Sequence, residues 1–130
     1  MDVRKLPSPV KFWPKNHWYF FQKQIKKKTK RRPFIRSAYF AKNKIFLDYF
    51  WEHLHQKSAS DRVRRLKYYE CALDVIKNSK LEPIIEKNQY KSQEMLYRFG
   101  GMTKDKELFI VQIKENTKND QKFFMSVFPN

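Results

Sequence analysis

The sequence predicts an α+β fold: two helices packed on an antiparallel β-meander sheet, with a basic N-terminal extension. Three observations point there. One stretch repeats apolar residues at helical spacing. A later stretch alternates apolar and polar residues in three segments separated by turn signals. The first 33 residues show neither period and carry prolines and positive charge instead. The 130 residues therefore divide into an extension, 1–33, and a single domain, 34–130.

The elements follow in order. Pro7, Pro9 and Pro14 make residues 1–16 an extended lead. Residues 17–25, HWYFFQKQI, fit a short helix or a strand, and the basic run KKKTKRRP reads as an exposed arm. Phe34–Tyr39 and Lys44–Leu47 read as two strands with a turn at Lys42–Asn43. A short helix is expected from Tyr49 to about Gln56, with Phe50 and Leu54 four apart. Ser60 is the expected N-cap of a long helix, Asp61 to Asn78, whose stripe is Val63, Leu66, Tyr69, Leu73 and Ile76. Beyond Pro83, Met95, Tyr97 and Phe99 share one face of a strand, and Gly100–Gly101 reads as a turn. Two more alternating strands carry Phe109, Val111, Ile113 and then Phe123, Met125, Val127.

Composition narrows the function. Aromatics make up 17% of the chain and there are only 2 glycines, which argues against disorder over most of it. The net charge is +16, and it is uneven: residues 1–36 hold twelve Lys/Arg against Asp2 alone. Such an excess favours polyanions, with nucleic acid first. Lys26, Lys27, Lys28, Lys30, Arg31 and Arg32 are the expected nucleic-acid-binding cations, although a generic solubilising or targeting tract reads the same way. The single cysteine, Cys71, excludes an intramolecular disulfide, and its place in the helical pattern makes it a small packed residue. The sequence offers no zinc-type spacing, phosphate-cradling glycine loop, HExxH or carboxylate cluster. No metal and no cofactor are expected. No membrane-spanning run and no signal-peptide pattern are seen, so a cytoplasmic location is expected.

Metal-free RNA cleavage needs a group to take the 2′-hydroxyl proton, cations to stabilise the transition state and a donor for the leaving oxygen. His53 lies on the short helix with Lys57 one turn later, so both can serve one spot. His55 points elsewhere, and either histidine also has a plain reading as a half-buried surface group. Arg62, Arg64 and Arg65 open the long helix at its positive end, where the dipole does not favour them. An anion or a nearby acid such as Asp61 or Glu52 would hold them, and Arg62 and Arg65 flank the apolar stripe. On the sheet, Arg98, Gln112, Lys114 and Ser126 fall opposite Met95, Phe109 and Phe123. Leu96, Ile110, Phe124 and Phe128 are expected on the polar side. That makes a basic platform on which bases can stack, or against which Trp13 and Trp18 pack.

The run HLHQKSASDRVRRLKYYECALDVIKNSKLEP, the strand with Tyr97–Arg98, then ELFIVQIKE and KFFMSVF resemble one family. It is the phage-associated branch of the barnase–EndoU–colicin–RelE-like nuclease superfamily, and the resemblance covers about residues 44–128. It implies a metal-independent ribonuclease, of toxin or effector type. His53 matches the family's helix histidine, Arg62 the arginine of the next helix, and Ser126 the hydroxyl of the last strand. Lys57 falls where a further basic residue is common. NSKLEP departs from the family's tighter helix end, and serine replaces the commoner threonine.

The resulting expectation is a ribonuclease-like protein acting on RNA, with His53, Arg62, Arg98 and Ser126 catalytic and Lys57, Arg65 and Lys114 auxiliary. An acidic antitoxin-like protein is the expected partner if the chain is a toxin. Two alternatives stay open. One is a non-catalytic nucleic-acid-binding module, and the other is a basic arm that binds an acidic protein or a ribosomal surface.

Overall fold

The computed structural model describes residues 3–5 and 32–130 of the chain. The expected element at 17–25, the basic run 26–31 and the two tryptophans Trp13 and Trp18 lie outside the described residues. Val3–Lys5 form β1, which pairs in parallel with the end of a later strand. Phe34–Ser37 (β2) and Asn43–Phe46 (β3) form an antiparallel hairpin. Its turn places Ala41 and Lys42 at φ of 52° and 65°, and Lys42 N–H donates to Ser37 O at 2.7 Å.

Asp48–Leu54 form α1, which buries Phe50, Trp51 and Leu54. Asp48 stands in its first turn, where a carboxylate meets the positive helix end. The long helix expected over 61–78 is two helices, α2 (Ala59–Lys67) and α3 (Tyr69–Asn78). Tyr68 breaks them at φ −101°, ψ 4°. The break has a packing reason. Adjacent residues stand about 100° apart on a straight helix, yet Tyr68 and Tyr69 are both buried and serve different partners. Tyr68 stacks on Phe109 at 5.5 Å, and Tyr69 stacks on Phe50 at 5.2 Å. The N-cap of α2 is Ser58, not Ser60: its Oγ accepts from Asp61 N–H at 3.3 Å.

Four strands follow: β4 (Ile84–Lys87), β5 (Glu94–Met102), β6 (Leu108–Asn116) and β7 (Gln121–Pro129). The class is α+β as expected, but among the described residues three helices accompany a curled, mixed, seven-stranded sheet. Its order is β1-β5-β6-β7-β3-β2, with β4 also on β5. β5, β6 and β7 pair antiparallel, whereas β3 runs parallel to β7. The Gly100–Gly101 pair is not a turn; it lies within β5. A Cβ on Gly101 would fall 2.2 Å from Cζ of Phe109, so the missing side chain makes room for that ring.

Helices and sheet meet in one core. Phe50 stacks on Phe124 at 4.6 Å and 4°, and Trp51 Nε1 donates to Tyr69 Oη at 3.1 Å. Burial raises the Tyr69 phenol well above its ordinary value. The core-facing sheet residues are Ile45, Phe99, Phe109, Val111, Ile113, Phe124 and Val127.

The second face of the sheet differs from the expected one in a single respect. Phe124 pairs with Ile113, but Ser126 pairs with Gln112, so Met125 is an extra residue in β7. Such a bulge reverses the in–out parity on one side of it. Phe124 is therefore fully buried in the core, and Phe123 lies on the outer face, the reverse of the expected assignment.

Candidate functional site

The outer face is organised as two transverse rows by strand register. Phe34, Phe46, Phe123, Lys114 and Leu96 stand opposite one another across β2, β3, β7, β6 and β5. Ser126, Gln112 and Arg98 form the second row. Helix α1 follows β3 and packs along β7. Phe50, Trp51 and Leu54 face the core, so Tyr49 and His53, one turn apart, come to the outer face. Their rings stack at 4.1 Å.

His53, Lys57, Arg65, Gln112, Met125 and Ser126 line one cavity of about 220 Å³, closed by Tyr49 and Phe128. Arg65 is the best-positioned cation in it. Its Nε donates to Asp61 Oδ2 at 3.2 Å, and its Nη1 donates to Ser126 Oγ. The side chain is only 18% exposed, and a guanidinium has five N–H donors, so several remain for an anion. Asp61 does two jobs at once, since its backbone N–H also completes the Ser58 cap. Lys57 follows the last turn of α1 and is exposed, with no carboxylate partner among the described residues. Gln112 accepts from Arg98 Nε at 3.3 Å and directs its Nε2 to Met125 Sδ at 3.1 Å.

The expected site residues are thus distributed unevenly. His53, Lys57, Arg65 and Ser126 are together. Arg98 stands beyond Gln112 and is paired with Glu86 at 2.7 Å. Lys114 is 13% exposed, 4.0 Å from the Tyr49 ring and 3.8 Å from Glu94, so it backs the cavity through Tyr49. Arg62 lies on α2 and does not line the cavity; Arg65, one turn on, holds that place. His55 is exposed, and Trp51 is in the core. Arg32 lies 4.1 Å over the Phe46 ring and pairs with Asp48 at 2.7 Å. Lys26, Lys27, Lys28, Lys30 and Arg31 lie outside the described residues.

Two lining residues escaped the sequence reading. Tyr49 was signalled only by its four-residue spacing from His53. Met125 enters the site because it is the bulged residue, which no local pattern marks. Among the described residues there is no group of three or more His, Cys, Asp or Glu side chains placed to hold a metal ion. Among them, too, no helix is long and apolar enough to cross a membrane. No family model, curated protein or solved structure matches this chain.

Proposed function

We propose that the chain is a ribonuclease that cleaves RNA through the ribose 2′-hydroxyl without a metal ion. The observation that carries this reading is the single cavity that unites His53, Lys57, Arg65 and Ser126. In it His53 takes the 2′-hydroxyl proton as general base. The 2′-oxygen attacks phosphorus, the bond to the 5′-oxygen breaks, and a 2′,3′-cyclic phosphate forms. Arg65, oriented by Asp61 and Ser126, stabilises the charge that builds on the phosphoryl oxygens. Lys57 supplies the proton for the departing 5′-oxygen. Arg98 and Lys114, paired with Glu86 and Glu94, border the cavity through Gln112 and Tyr49, and the net charge of +16 steers RNA to the protein. The same charge suits an acidic inhibitory protein as partner.

The test is digestion of total RNA by purified protein in excess EDTA, with His53→Ala, Arg65→Ala and Ser126→Ala beside it. Cleavage that leaves cyclic-phosphate ends is expected, with a loss of roughly 10²–10⁴-fold in His53→Ala. RNA that is bound yet stays intact would sink the enzyme reading. It would favour the second one, a non-catalytic nucleic-acid-binding module, which draws on the cations lying over aromatic rings on the same face.

A further inference from the structure

The first row of the outer face continues away from the cavity as a strip of aromatic rings. Tyr49 lies 6.2 Å from Phe123, Phe123 lies 6.0 Å from Phe46, and Phe46 lies 6.3 Å from Phe34. Each ring carries a cation. Lys114 is over Tyr49 and Arg32 over Phe46, while Lys44 and Arg36 lie 4.7 and 5.5 Å from the Phe34 centroid.

The cations fall into two kinds. In the middle of the strip, Arg32 and Lys114 are neutralised by Asp48 and Glu94. Near its ends, Arg36, Lys44 and Lys57 have no carboxylate partner among the described residues. The far end opens on a second cavity, of about 380 Å³, lined by Arg36, Lys42, Asn43, Lys44 and Phe46. One acid, Asp120, also lines it, and Lys122 lies 3.7 Å from that carboxylate.

We infer that this strip is a binding track for single-stranded RNA, running from the β2–β3 hairpin to the His53 cavity. Unpaired bases stack on aromatic rings and on guanidinium planes. Arg32, 40% exposed and set over Phe46, offers such a plane. In the middle, the Arg32 guanidinium, already neutralised by Asp48, serves as a stacking surface, and the unpaired cations at the ends take phosphates. A duplex keeps its bases inside and has no use for the rings, so the strip selects single strands. The basic run that ends at Arg32 joins the chain beside the track. The inference rests on the ribonuclease reading only for the choice of RNA as the polymer.

Fluorescence anisotropy with the full chain tests it. The probe is a labelled single strand of about 12 nucleotides, 2′-O-methylated so that it cannot be cleaved, beside its duplex. The single strand is expected to bind roughly tenfold tighter than the duplex. Arg36→Ala with Lys44→Ala should weaken it about 5- to 20-fold and flatten the log–log salt slope by about 1.4. Phe34→Leu, which keeps apolar bulk and removes the ring, should weaken it about fivefold. Thermal melts confirm that the variants are folded. Equal affinity for duplex and single strand, or an unchanged salt slope in the double variant, overturns the track. Strip-dependent binding without cleavage of unmodified RNA would retain the track and remove the ribonuclease. Cleavage that is indifferent to the strip variants would do the reverse.

Discussion

On β7, Phe124 faces the helices and Phe123 faces away, and the two neighbours have different chemical surroundings. Phe124 is fully buried against Phe50 and Tyr69. Phe123 is half-buried, with Arg32 at 5.3 Å and Lys114 at 5.5 Å from its ring. One face of the sheet uses aromatics to exclude water. The other uses them to carry cations that remain in contact with water. The same residue type therefore packs the core on one side and lies against cations on the other.

The largest test of this contrast compares truncations of the two rings. Phe124→Ala removes a fully enclosed ring and should cost about 3–5 kcal/mol. Phe123→Ala loses partial burial and two cation–π contacts, and should cost about 1–2 kcal/mol. Urea denaturation with unchanged m-values would establish both figures. Equal losses would mean that Phe123 belongs to the core and that the bulge at Met125 does not separate the faces.

Gly101→Ala probes the core side more gently. The added methyl would collide with the Phe109 ring, which itself stacks on Tyr68. Overpacking of this kind costs about 1–3 kcal/mol. A neutral outcome in the same denaturation experiment would show that the ring can move aside, and so that the β5–β6–α2 corner is looser than the outer row.

Much of this layout was legible in the sequence. The β2–β3 hairpin, α1 and the three long strands follow from spacing alone. His53 and Lys57 do share the cavity, but α1 ends at Leu54, and Lys57 reaches it from the turn beyond the helix, not from one helical turn along it. What escaped has physical causes. The stripe from Val63 to Ile76 continues through Tyr68 without a glycine or proline, so nothing local announces the break. Tertiary demand for two buried tyrosines imposes it. With the break, Val63 is left 40% exposed and Leu66 is the buried residue of α2. The four residues of β4 are all exposed and show no alternation, and β5 holds them through its backbone ladder. The glycine pair in β5 resembles a turn until the ring of Phe109 is set across it. Met125 was the costliest omission, since one unrecognised residue exchanged Phe123 and Phe124 between faces.

The smallest expected effect concerns Cys71, the only cysteine of the chain, which reports on how tightly the core side is closed. It is 8% exposed in α3. Burial pushes its thiol up to about 11, helped by the neighbouring Glu70 and Asp74 carboxylates. At neutral pH the reactive thiolate is then only about one part in ten thousand. A disulfide-exchange reagent added to the native protein at pH 7 should react far more slowly than with the chain in guanidinium, where one thiol per chain is released at once. Raising the pH toward 11 should speed the native reaction, because deprotonation and not access alone limits it. If the two faces are independent, the RNA binding proposed for the outer face should not change when Cys71 is labelled after brief unfolding and refolding. A labelled chain that refolds but binds RNA poorly would show instead that strain in the helix-packed core reaches the outer row, through the strands the two faces share.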